Sequence, residues 1–372
     1  MNTDILSVAK DLAYLSACMI NGIVPDTKHV SGMDIAALHE LARAHLLTGI
    51  VGYALEAAGV ADPKFSRDKA KAIRKVALFD VERTAVLDEL GKAGIAHMML
   101  KGCVLQNLYP KIGMRQMADN DILYDRTRCE DVRAIMEKLG FEAVNFVHDD
   151  YNHDQYQKKP VFNFEMHRAL FSPSADGVVF RYYEDIQSRM IPDEGKKFSY
   201  HLSDEDFYLY MIAHEYKHYS GGGTGMRSLL DTYVCLKKLD LDMDYIRAEA
   251  EKLGLRDFEE KNRLVALHLF DGVDLTADEQ SMFEYILSSG TYGTLFNSVT
   301  NQVEKHGRLG YLFSRLTLPY DVMKTRYPVL EKCPVLYPFC WVHRILHGFV
   351  TNRKVVMYQV KTALFGKTSK RK

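Results

Sequence analysis

Leu100-Lys-Gly-Cys-Val-Leu-Gln-Asn-Leu-Tyr-Pro-Lys-Ile-Gly-Met-Arg-Gln-Met-Ala-Asp-Asn-Asp-Ile-Leu-Tyr-Asp125 is the stretch on which the fold turns. The apolar run Ala96–Lys101 reads as a buried strand that stops at Gly102. Val104–Tyr109 reads as a short helix closed by Pro110, and Asn120–Tyr124 as a second strand. Side chains alternate along a strand, so Asp119 and Asp121 point one way and Asn120 the other. Two carboxylates on one face repel unless a cation lies between them. Oxygen donors of this kind suit Mg²⁺ or Mn²⁺ better than zinc.

Working outward, the next strand-like segment is Val161-Phe-Asn-Phe-Glu-Met-His167, which alternates as a half-exposed strand does. Glu165 lies on it between apolar neighbours and is the candidate third carboxylate. Arg128–Leu139 reads as a helix and Phe141–Phe146 as a strand, with a turn-rich connection beginning at Asp149-Asp150. The block from about Gly94 to Leu170 is the only strand-rich part of the sequence.

Its flanks read as helices. Ile35–Leu47 carries apolar residues at three and four spacing, and Asp62-Pro63 marks a break before the next helix, which runs from about Phe65 to Gly91 or Gly94. Ser203 with Asp206, and Thr276, are expected caps. Further helices are expected from Met226, at Tyr245–Leu253, Lys261–Leu269 and Ala277–Leu287, and near Arg344. The expected architecture is α+β: a helical segment over 1–93, a small mixed sheet over 94–200 and a helical domain over 201–372.

Glycine at a strand-to-helix turn lets backbone N–H groups approach a phosphate, and the helix dipole favours the negative charge. Lys101, Gly102 and Cys103 are therefore the expected phosphate grip. Arg115 is a second cation, able to hold phosphate bidentately or to pair with Asp119. The run LKG…YP, followed by Met114-Arg-Gln-Met-Ala-Asp-Asn-Asp-Ile-Leu and then Glu165-Met-His167, resembles the uncharacterised nucleotidyltransferase family of the polymerase-β-like superfamily. The resemblance covers Met98–His167, with looser extensions at His214–Asp231 and Pro338–Arg344. It implies transfer of a nucleotidyl group from a nucleoside triphosphate, ATP foremost, to an acceptor hydroxyl. Asp119, Asp121 and Glu165 would be both the catalytic and the metal-binding residues, with magnesium or manganese as cofactor. Cys103 stands where the superfamily carries Ser or Gly, so a hydroxyl contact to phosphate is missing, and the Gly102–Asp119 separation is longer than usual.

His214-Glu-Tyr-Lys-His218 matches the zincin pattern, with two histidines one helical turn apart and Glu215 as a base. Phe207, Met211, His214 and His218 also form one stripe, so the histidines equally continue a packed face. The resemblance offers a third reading, in which His218 or Arg227 lies near the phosphates and Arg227 pairs with Asp231 one turn on. Three function classes stay open: a metal-dependent nucleotidyltransferase, a non-catalytic nucleotide-binding or toxin–antitoxin module, and a zinc hydrolase.

Composition narrows the rest. The net charge of -1 gives no global basic field for nucleic acid, although Arg353, Lys354, Lys361, Lys367, Lys370, Arg371 and Lys372 cluster near the end. Cys18, Cys103, Cys129, Cys235, Cys333 and Cys340 form no CxxC pair, which suits reduced thiols. The N-terminus reads as an amphipathic helix, and no apolar run reaches the roughly 20 residues that span a bilayer. A cytoplasmic protein without a membrane partner is expected.

Overall fold

A computed structural model describes residues 3–145, 152–172, 177–318 and 320–365. Its contacts divide the chain into two compact units, one of residues 1–216 and 225–291 and one of residues 217–224 and 292–372. The fold is α+β, as expected.

The first unit holds a seven-stranded mixed sheet. Its strands are β1 (His97–Met99), β2 (Asn120–Tyr124), β3 (Glu142–Asn145), β4 (His153–Lys158), β5 (Phe162–His167), β6 (Ile191–Pro192) and β7 (Ser199–His201), in the order β3-β4-β5-β2-β1-β7-β6. β2 runs parallel to β5 and antiparallel to β1, so the two strands expected to carry carboxylates are direct neighbours. β4 was not foreseen. It forms an antiparallel hairpin with β5, with His153 opposite His167 and Gln155 opposite Glu165. Asp149 and Asp150, the expected start of the connection, lie outside the described residues. β6 and β7 extend the strand-rich region past Leu170, the limit expected from sequence.

Alternation on β2 sorts its side chains between two cores. Ile122 and Tyr124 pack with Phe164, Met166 and Tyr156 beneath the long helix Pro63–Lys92, through Val76, Phe79 and Val86. That helix opens at Pro63, earlier than the start expected at about Phe65: Asp62 accepts from the amides of Lys64 and Phe65, and Pro63 occupies the first turn, where a missing N–H costs nothing. Leu123 and Met98 pack on the other face, against Tyr208, Tyr210 and Ile212 of helix Asp204–Gly221. Each buried apolar side chain of this size contributes about 1.5–3 kcal/mol.

Helices Met226–Lys238, Met243–Lys252, Arg256–Asp271 and Ala277–Ser289 complete the unit. The last opens with a full capping box between Thr276 and Glu279, and Ser203 Oγ accepts from the amide of Asp206 at 3.1 Å. The second unit is helical, with helices that include Leu295–Leu316, Tyr337–Thr351 and Arg353–Phe365 and small cores around Val303 and Leu330. Among the described residues no helix is long and apolar enough to cross a membrane.

Candidate active site

The sheet face under helix Asp204–Gly221 carries the polar cluster. Register fixes its members. Asp121 stands beside Glu165 on the parallel neighbour, and Glu165 stands opposite Gln155 on β4. One step along, Leu123, His167 and His153 form the next rank. Because facing residues share a side of the sheet, Asp121, Glu165, Gln155, His167 and His153 all project into one space.

The opposite orientation of Asn120 is equally clear. Asn120 is fully buried on the far face, where Arg83 Nη1 donates to its Oδ1 at 2.8 Å. Cys103 also points there, with Sγ 3.4 Å from the same oxygen, and burial pushes its thiol up to about 12. The Cys103 amide is already engaged, donating to Leu100 O at 3.0 Å. Its side chain thus belongs to the core beneath the turn.

Lys101 occupies the turn with φ 45°, in the left-handed region that non-glycine residues rarely adopt. That backbone aims its ammonium at Asp121 Oδ1, 2.7 Å away, and within 3.8 Å of Glu165 Oε2. Burial alone would raise the Asp121 pKa, but Lys101 and a 2.8 Å hydrogen bond from His167 Nε2 hold it well below the usual carboxylate range. Glu165 is also held low, because His167 and Lys101 outweigh burial and the charge of Asp121. Asp119 behaves oppositely. Burial first, then the charges of Asp121 and Glu165, push its carboxyl up to about 6. Asp119, Asp121 and Glu165 thus crowd together, with Asp121 held by the Lys101 ammonium, a set of oxygen donors that suits a divalent cation.

Arg115 is placed elsewhere. Its Nε and Nη2 grip Asp231 at 2.8 and 2.9 Å, and Tyr109 donates to the same carboxylate at 2.7 Å. This buried triad ties the loop before β2 to helix Met226–Lys238. The expected partner of Asp231, Arg227, donates instead to Gln116 O at 3.1 Å. Gly102 serves the triad as well. A Cβ there would lie 2.5 Å from Arg115 Nη1 and 3.0 Å from the Met117 side chain, so the space it leaves is filled by protein.

Two cations do face Asp119, Arg227 and Lys75. The charges of Asp119 and Lys75 act on each other, and Arg227 acts on both. Lys75 had not been singled out, although a signal existed: it lies on the apolar stripe of its helix, between Ala72, Val76 and Phe79. His153 was missed because β4 was missed.

The zincin-like pattern dissolves on inspection. Glu215 is buried against Asn262 Nδ2 at 3.0 Å and Thr232 Oγ1 at 3.4 Å, and burial pushes it up to about 8. A base locked in the core cannot serve a water on the surface. Among the described residues, the grouping of metal-capable side chains is instead His153, Glu165 and His167.

A family model described as "Uncharacterised nucleotidyltransferase" matches residues 31–271. The chain belongs to that family. The match takes in the sheet, the carboxylate cluster and the Arg115–Asp231 tie, and it gives this family member a general nucleotidyltransferase role. Neither a curated protein nor a solved structure matches it. The family member also has a cleft of about 410 Å³ at the other end of β2, lined by Tyr124, Arg126, Arg168 and Gln187 among others, and none of the candidate residues borders it.

Proposed function

We propose that the protein moves a nucleoside monophosphate group from a nucleoside triphosphate, with ATP as the expected donor, to an acceptor hydroxyl, releasing pyrophosphate. One observation carries the reading. Asp121 and Glu165 sit side by side on parallel strands, with Asp119 entering the same strand and Lys101 bridging the pair.

The donor set of Asp119, Asp121 and Glu165 fits Mg²⁺ or Mn²⁺, which when bound would neutralise the triphosphate and stabilise attacking and leaving oxygens. Lys101, Lys75 and Arg227 supply the remaining positive charge for the phosphates. In the reaction the acceptor oxygen forms a bond to the α-phosphorus while the bond to pyrophosphate breaks. The acceptor proton passes to a carboxylate, a role assigned to Glu165, whose Oε1 accepts from Gln155 Nε2 at 3.3 Å. Arg115 acts as a positioning residue that fixes the loop delivering Asp119.

The test is incubation with labelled ATP, Mg²⁺ and panels of small-molecule and protein acceptors. Pyrophosphate should be released, and Asp121→Asn should abolish the release. Equal release from that variant would sink the assignment. Nucleotide binding without turnover on any acceptor would point to a non-catalytic module.

A further inference from the structure

We propose that His153, His167 and Glu165 form a site for a first-row transition-metal ion, bordering the nucleotidyl site and distinct from a magnesium position by its two imidazole donors. The proposal shares Glu165 with the reading above and rests on that reading for its catalytic meaning; binding itself does not.

Spacing is the first argument. Donors held about 2.1 Å from one ion stand roughly 3–4 Å apart. His167 Nε2 lies 3.6 Å from Glu165 Oε2, and His153 Nε2 lies 3.8 Å from the same oxygen. These separations are too long for hydrogen bonds and match neighbouring ligands of a common ion. One donor atom from each of the three residues falls within 4.8 Å of the others. Asp121 Oδ1, 2.8 Å from His167 Nε2, is a fourth donor within reach.

Orientation is the second. Histidine ligands are usually fixed through the ring nitrogen that does not bind metal. His153 Nδ1 lies 3.2 Å from Asn152 Oδ1, which leaves its Nε2 turned toward Glu165. The two rings lie 4.9 Å apart, held by the 153–167 register of the hairpin. His167 is almost fully buried; among the described residues its Nδ1 has no hydrogen-bond partner, and its Nε2 would exchange the 2.8 Å contact with Asp121 for the ion.

Donor chemistry is the third. Two imidazoles with carboxylate oxygens suit manganese, cobalt or zinc and are poor ligands for Mg²⁺, which demands oxygen.

The experiment titrates chelator-stripped protein with Co²⁺ alone, without nucleotide, and follows the visible ligand-field bands. The expected result is one Co²⁺ per chain that excess Mg²⁺ does not displace and that Zn²⁺ does. His153→Ala, on a partly exposed side chain, should weaken binding roughly tenfold or more while circular dichroism stays unchanged. On the unmodified protein, two imidazole N–H proton signals should be shifted by the paramagnetic ion. Unchanged binding in the variant, ready displacement by Mg²⁺, or the absence of shifted imidazole signals would overturn the site. Pyrophosphate release without Co²⁺ binding would refute this site and leave the nucleotidyl reading intact. Co²⁺ binding without release would do the reverse.

Discussion

Lys101 combines an unfavourable backbone with an indispensable charge. A non-glycine residue at positive φ costs on the order of 1 kcal/mol or more, and such strain persists where the surroundings demand it. Here the demand is an ammonium between Asp121 and Glu165. Lys101→Met should therefore abolish pyrophosphate release and lower the melting temperature in metal-free buffer, since buried Asp121 and partly buried Glu165 lose their counter-ion. Added Mn²⁺ should restore much of that stability in the variant and shift the wild type less. A variant melting curve indifferent to Mn²⁺ would argue against a cation site among these carboxylates. Glu215 gives a second prediction at this scale. Its folded pKa of about 8 exceeds the unfolded value of 4.5, so above that unfolded value the unfolded state binds fewer protons than the folded one. Stability accordingly falls as pH rises from 4.5 and levels off above about 8. Glu215→Gln should remove that slope and gain on the order of 3 kcal/mol in the alkaline range, read from urea midpoints across pH. An unchanged slope would mean that Glu215 is ionised in the fold.

Among elements, the tie between the loop before β2 and helix Met226–Lys238 rests on the planar fork of Arg115 meeting both oxygens of Asp231. Lysine cannot reproduce two parallel bonds. Arg115→Lys should cost about 1–3 kcal/mol in denaturant unfolding and reduce kcat more than it changes the KM for ATP, because Asp119 is displaced while Lys75, Lys101 and Arg227 remain. A rise in KM alone would return Arg115 to a phosphate-binding role. Part of the fold and site was legible in the sequence. The shared face of Asp121 and Glu165 could be read because strand alternation is a local rule, and the caps at Ser203 and Thr276 are equally local. β4 escaped because His-Asp-Gln-Tyr-Gln-Lys has few β-branched residues, and pairing on both edges, with β3 and β5, makes it a strand. Lys75 and the Arg115–Asp231 tie depend on residues over a hundred positions apart or on which face of a helix meets the sheet, and neither is written in a short window.

For the whole molecule, charge is segregated along the chain although the total is nearly zero. Residues 292–372 carry 14 Lys and Arg against 3 Asp and Glu, leaving the preceding part with 34 against 46. The basic stretch also holds exposed apolar side chains such as Leu309, Phe313, Val335 and Phe339. A net charge of -1 at pH 7 predicts flow-through on a cation exchanger, whereas a concentrated basic segment predicts retention that weakens with salt. Retention is the expected outcome, and deleting residues 353–372 should abolish much of it. Flow-through of the intact chain would mean that its acidic part masks the basic one.

The thiol beneath the Lys101 turn has a consequence for how the protein withstands oxidants. Only thiolates react readily with peroxides and alkylating reagents, and Cys103 is fully buried with its titration pushed up to about 12. A cysteine adjoining Lys101 and Gly102 is thus chemically silent, while the exposed Cys333 is open to modification. Iodoacetamide should label Cys333 and leave turnover untouched, so oxidative stress that caps surface thiols would mark the protein without stopping it.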